Sequence, residues 1–274
     1  MNSAMALIKT DQLEKTFFQV EKIEDATSRF GYAVINKNNG KRISQVSKEY
    51  VLVPNRDAVM PFVERYGLKR LISFQRFGNS FSYKFNLGDE IDMGEGDMLK
   101  RMGYVTNSYD KTVRFRWQDG FFRKVCLNGL FVFAQGASVS EVHYGNFNAH
   151  EAIREALFQS SLPINVEVWK SLKKVAIDRE RKNLIIDNFK PMIVNEKPGS
   201  IQRHPSETVN RSIQYYAKHN ASRTSHDLDN QPNGWGLLNN INWGISRACG
   251  EKNLSRIISL NQKAEDYLTS AILN

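Results

Sequence analysis

Only two cysteines, Cys126 and Cys249, occur in 274 residues, and no Cys-x-x-Cys pair exists. A disulfide scaffold is thereby excluded, and a reducing compartment fits. Long apolar runs are missing too: nowhere do about 18 apolar residues follow one another, as a membrane span requires. The opening residues, MNSAMALIKTDQLEK, reach Lys9 and Asp11 too soon for the apolar stretch of a secretory leader. The expectation is a cytoplasmic chain with no membrane contact, in a bacterial host cytoplasm if it is phage-encoded.

The common catalytic signatures are also absent. Residues 88–103, GDEIDMGEGDMLKRMG, are Gly-rich but lack the Gly-Lys-Ser/Thr ending of a phosphate loop and carry negative charge where phosphate would sit. They read as a mobile connection. No Gly-x-Ser-x-Gly elbow and no His-Glu-x-x-His helix occurs. His143 and His150 stand seven apart with Glu151 beside the latter, while His204, His219 and His226 fall on predicted loops. Asp89, Glu90, Asp92 and Glu95 offer oxygen ligands for a hard cation, although a solvated loop explains them as well. No cofactor is expected. Cys126 reads as a small core residue on a strand.

What the chain does have is positive charge. Thirty-eight Lys and Arg against 29 Asp and Glu leave +9, which favours a polyanionic partner. With 41% hydrophobic and 11% aromatic residues the chain suits a globular fold, not a disordered one.

The most informative stretch is Thr112 to Phe133, TVRFRWQDGFFRKVCLNGLFVF. Val113, Phe115 and Trp117 alternate with Arg114, Arg116 and Gln118, the period of a strand with two unlike faces. Asp119-Gly120 is a turn signal, and Phe121 to Cys126 reads as the returning strand of a hairpin. The exposed face of that hairpin would carry Arg114 and Arg116, with Arg123 and Lys124 nearby. Asn128-Gly129 opens another turn, followed by an apolar strand from Leu130 to Phe133.

Upstream, Leu7, Leu13 and Phe17 predict an amphipathic helix over Ala4 to Val20. Strands are expected at Gly31–Ile35 and Arg42–Val46 around an Asn/Gly-rich turn. A helix capped by Asn55 or Asp57 should run to Tyr66 and stop at Gly67. Leu71 to Phe77 and Ser80 to Leu87 flank Gly78-Asn79 as a second hairpin, with Phe81, Tyr83 and Phe85 on one face and Ser82, Lys84 and Asn86 on the other.

Downstream, the period changes to helical over Asn148 to Asp187, with a break near Pro163. The block from Lys170 to Lys182 gathers Lys170, Lys173, Lys174, Arg179, Arg181 and Lys182, a basic helix suited to a phosphate backbone or to plain solvent exposure. Lys190 to Pro205 holds three prolines and reads as a linker. A helix from Ser206 and two more over Trp235–Cys249 and Leu254–Leu273 complete the chain. The expected class is α+β: antiparallel hairpins packed against helices, with a helical carboxyl-terminal part. The expected division is a core over 1–189, a linker over 190–205 and a helical segment over 206–274 packed on the core.

The run NSYDKTVRFRWQDGFFRKVCLNGL, the Val142-His143 step, PNRDAVMPF upstream and NGWGLLNNIN downstream resemble a phage- and plasmid-associated family known as a domain of unknown function. The resemblance spans roughly Val46 to Arg247. It departs at Tyr144, where Thr is the family's habit, and at Asn240, where Ala is. No activity follows from it.

Function must therefore be read from binding chemistry. Strands that interleave Arg and Lys with Phe, Tyr and Trp offer phosphate contacts beside surfaces for unstacked bases, which suits single strands better than duplexes. Trp117, Phe115 and Phe81 serve equally as core. The leading expectation is a phage- or plasmid-type protein that binds single-stranded DNA, and anneals strands in recombination or replication, as a homo-oligomer. Its candidate DNA contacts are Arg114, Arg116, Arg123, Lys124, Lys84, Lys170, Lys173 and Lys174. The alternatives are a non-enzymatic factor that acts on a host protein, and a metal-dependent nuclease.

Overall fold

A computed structural model describes residues 10–123, 131–132, 138–164, 166–189, 207–219, 231–249 and 254–273. The chain is α+β, with two antiparallel sheets and a helical carboxyl-terminal part. The first helix, α1, covers Thr10–Glu14. It is shorter than the heptad-like spacing predicts, because Thr16 turns the chain by donating its hydroxyl to the Leu13 carbonyl at 2.7 Å. Val20, expected as the helix end, instead opens strand β1 (Val20–Glu24). With β2 (Tyr32–Asn36) and β3 (Arg42–Val46) it forms a three-stranded sheet in sequence order.

Helix α2 (Asn55–Tyr66) ends where expected, at Gly67, whose φ of 87° an L side chain rarely adopts. Neither Asn55 nor Asp57 caps it. Pro54 holds the cap position without a side-chain bond, and the Asn55 side chain accepts from Asn107 Nδ2 at 2.9 Å.

The second sheet is built from β4 (Leu71–Phe77), β5 (Ser80–Asp92), β6 (Met98–Ser108), β7 (Phe115–Arg123), β8 (Phe131–Val132) and β9 (Ser138–Glu141). Its order is β4-β5-β6-β7-β8, with β9 also paired to β7. The β4–β5 hairpin turns at Gly78-Asn79 and buries Phe81, Tyr83 and Phe85.

Two expectations in this sheet are corrected. Asp119-Gly120 is not a turn, since β7 runs through it. Phe115, Trp117, Asp119 and Phe121 keep one parity and are all 3% exposed or less. The Asp119 carboxylate has a buried partner in Arg101 Nη2 at 2.9 Å, and β9 followed by β8 pairs along β7 on both sides of the dipeptide. Residues 88–103 are likewise not a loose connection. β5 continues to Asp92 and β6 begins at Met98, with a tight turn at Gly94, Glu95 and Gly96, all at positive φ. The acidic run is matched by the basic pair that follows it: Lys100 pairs with Glu90, and Arg101 with Asp89 at 3.2 Å. The turn predicted at Asn128-Gly129, Cys126, Lys124 and the linker over Lys190–Pro205 lie outside the described residues.

The chain divides into two compact units. The first comprises Met1–Asp89, Arg101–Asp119 and Gly136–Pro163, the second Glu90–Lys100, Gly120–Gln135 and Ile164–Asn274. In the first unit Trp117 is fully buried, stacked on Phe62 at 4.2 Å and donating Nε1 to Ser160 Oγ at 2.6 Å. Gly103 leaves room for that indole, because a Cβ there would lie 2.2 Å from Trp117 Cη2. Helix α3 (Ala149–Ser161) closes the unit; Asn148 caps it by accepting from the His150 and Glu151 amides.

The second unit holds α4 (Glu167–Lys174), α5 (Arg179–Asn188), α6 (Glu207–His219), α7 (Gly234–Cys249) and α8 (Leu254–Leu273). Lys170 to Lys182 is therefore not one basic helix. It breaks after Lys174, Ala176 bridges to Asn233, and Asp178 caps a new start by accepting from the Arg181 amide at 2.7 Å. Helix α7 buries the expected Leu237, Leu238, Ile241 and Ile245, and Trp235 donates Nε1 to Asp97 at 2.8 Å. Gly244 lets α6 come close, since a Cβ there would meet the Ile213 carbonyl at 2.5 Å.

Glu265 of α8 is only 7% exposed, and its Oε2 has no hydrogen-bond partner. Burial pushes its carboxyl up to about 8, so the folded chain holds a proton there at neutral pH. A folded value above the unfolded value of about 4.3 means that stability is fully present in acid and is lost as pH rises through about 8. Glu265→Gln should remove that part of the slope, for a gain on the order of a few kcal/mol at pH 9 and little change at pH 4. Urea unfolding at both pH values measures it; an unchanged slope would show that Glu265 is not the group responsible.

Candidate nucleic-acid interface

Four separated stretches of the first unit converge on one cleft of about 370 Å3, lined by Phe30, Ser47, Tyr50, Lys111, Val113, Arg114, Val142, His143 and Tyr144. The stretch ahead of α3 is tied to the one ahead of α2 by backbone bonds: the Val51 amide donates to the His143 carbonyl at 3.2 Å and the Gly145 amide to the Glu49 carbonyl at 3.0 Å. Tyr50 and Tyr144 face each other as an isolated bridge. Lys22 ties down the same edge by donating Nζ to the Lys48 and Tyr50 carbonyls, each at 2.8 Å.

Lys111 is placed by a tight turn between β6 and β7. Asp110 accepts from the Thr112 amide and hydroxyl, Ser108 Oγ donates to the Val113 carbonyl at 2.8 Å, and Lys111 itself sits at φ 66°. Its Nζ lies 4.7 Å from the Phe30 ring centre, and the Arg29 guanidinium is 5.7 Å from the same ring. The cleft thus combines the cations Lys111 and Arg114 with aromatic surface that is open to water: Phe30 is 48% and Tyr144 58% exposed. Cations beside an accessible π-face bind phosphate and a stacked ring at once.

His143 forms part of the wall and is 3% exposed. Its ring stacks on Tyr50 at 5.6 Å, meets Phe147 edge-on, and places Nδ1 3.1 Å from the Val51 carbonyl. Burial holds its pKa below the usual imidazole value.

The residues nominated from sequence fare differently. Arg114 is exposed and lines the cleft. Arg116 is half-buried, with Nε donating to Ser140 Oγ at 3.3 Å, so it does not stand on an open face. Lys84 is also half-buried, 5.5 Å above the Tyr104 ring, and burial brings its ammonium down to about 8. Arg123 ends β7, but its side chain, like Lys124, lies outside the described residues. Lys170, Lys173 and Lys174 belong to the second unit. Lys170 pairs with Glu167, Lys173 donates to the Met93 carbonyl at 2.5 Å, and Lys174 is exposed. Sequence reading missed Phe30, Lys111 and Tyr144.

Among the described residues, no group of three or more His, Cys, Asp or Glu side chains is arranged to hold a metal ion, and no helix is long and apolar enough to cross a membrane. No curated protein and no solved structure matches the chain. One family model does, over residues 42–256, well over half the length, and the chain belongs to the family described as Domain of unknown function (DUF932).

Proposed function

We propose that this protein binds single-stranded DNA in the cytoplasm, in the setting of phage or plasmid recombination or replication. The observation that carries the reading is the cleft in which Lys111 and Arg114 stand beside the exposed rings of Phe30 and Tyr144. The formal charge of +9 adds a long-range attraction for polyanions. Single strands are favoured because their bases are free to stack on protein rings, whereas a duplex hides those faces. Annealing would follow electrostatically: neutralised phosphates let two strands approach, and a row of subunits leaves other bases free to pair. No nucleotide triphosphate is needed for that. The nuclease alternative draws no support from the described residues, among which no three or more His, Cys, Asp or Glu side chains are arranged to hold a metal ion.

The test is fluorescence anisotropy with a labelled oligonucleotide, single-stranded and duplex side by side, at low salt without added metal. Tighter binding of the single strand is the expected result. Equal or absent binding would sink the reading, and the exposed Phe158 and Leu162 near the end of α3 would then direct the search to a protein partner.

A further inference from the structure

We propose that the second unit carries a single-strand contact of its own on α6 and α7, where a base stacks on the Tyr215 ring and Arg247 meets a phosphate of the same strand. This rests on the single-strand reading above and extends it beyond the cleft. Tyr215 is 54% exposed, so its ring is open to a ligand. It is also held from within its own helix. The His219 ring stacks on it at 4.3 Å and 27°, and His219 Nδ1 lies 2.7 Å from the Tyr215 carbonyl. A carbonyl oxygen only accepts, so the imidazole donates there and is pinned to the backbone. Two rings stacked in this way form a platform that a base can extend, with little side-chain freedom left to lose on binding.

The ring contacts continue from α6 to α7. Tyr216 meets Tyr215 at 5.6 Å and 73°, Trp243 meets Tyr216 at 5.7 Å and 82°, and the Arg247 guanidinium stands 5.3 Å from the Trp243 ring centre. Trp243 is buried and anchors this ladder, whereas Tyr215, His219 and Arg247 are its exposed members. Each step is shorter than 6 Å, which puts Arg247 within a few nucleotides of a base on Tyr215. Charge favours a nucleic acid over a protein as the occupant. The two helices carry three Lys or Arg, namely Arg211, Lys218 and Arg247, against one acidic residue, Glu207. Glu207 is paired with Arg211, so neither helix presents an unpaired carboxylate to repel a phosphate.

The experiment compares a thymidine oligonucleotide with an abasic oligonucleotide of the same length, which keeps the phosphates and lacks the rings. Tyr215→Ala should bind the thymidine strand about tenfold more weakly than the wild type does and the abasic strand equally well. Tyr215→Phe keeps the ring and should match the wild type on both. Arg247→Ala should weaken both strands alike, with a salt slope shallower by about 0.7. Tyr215 and Arg247 are exposed, and urea unfolding of the variants should match the wild type. An unchanged affinity of Tyr215→Ala for the thymidine strand, or equal losses on the two strands, would overturn the assignment while leaving single-strand binding intact. A changed oligomeric state with unchanged DNA affinity would give this face to a second copy of the chain and overturn it too. Failure of the wild type to bind either strand would instead remove the reading on which this one rests.

Discussion

Trp117→Ala should destabilise the protein by about 3–5 kcal/mol, the range for deleting a large aromatic side chain from a core. The indole is fully buried, stacks on Phe62 at 4.2 Å and lies parallel to Tyr66 at 6.1 Å. Its removal also deprives the buried Ser160 hydroxyl of a donor at 2.6 Å. Gly103→Ala should be damaging for the same reason seen from the other side, since its methyl would overlap the indole. The two changes should not add: with the indole gone, the methyl enters the space it left, so the double variant should be more stable than the sum of the single effects allows. Chemical unfolding of the three variants measures this. Near-wild-type stability of Trp117→Ala would show that Trp117 is not core.

Reversing both cleft cations, Lys111→Glu with Arg114→Glu, should lower the affinity for single-stranded DNA about 100-fold or more at low salt, because like charges brought together at an interface cost several kcal/mol. Neither residue bears on the core: Lys111 is in an exposed turn and Arg114 is exposed just ahead of β7. The variant should therefore unfold like the wild type. Anisotropy reads the affinity, and an unchanged value in a folded variant would remove the cleft from the DNA-binding surface.

How much of this was legible in the sequence depended on how local the cause was. The β4–β5 hairpin was, because Gly78-Asn79 and the alternation of Phe81, Tyr83 and Phe85 act within a few residues. So were the stop of α2 at Gly67 and the apolar stripe of α7. Asp119-Gly120 misled, since a strong local turn signal was overruled by Arg101, 18 residues away in sequence. The unbroken parity of Phe115, Trp117 and Phe121 was the available clue. The acidic stretch before Gly103 misled in the same way: charge suggested exposure, whereas Lys100 and Arg101 on the next strand answer Glu90 and Asp89.

The cleft was only partly legible. Arg114 was found from the alternation around it, but Phe30, Lys111 and Tyr144 come from separate stretches that no spacing rule connects. His143 attracted attention as a metal ligand by its residue type. Its burial against Tyr50 and its bond to Val51, 92 residues away, are long-range features that residue type does not reveal.

The measurement that bears most directly on the central claim is the salt dependence of single-strand affinity, for the wild type and for Lys111→Ala with Arg114→Ala. Each phosphate neutralised on a single strand contributes a slope of about −0.7 in log affinity against log salt. The wild type should therefore bind with a clearly negative slope, and the double variant with a slope shallower by about 1.4. Identical slopes for the two proteins, or a wild-type affinity that salt does not change, would contradict the account.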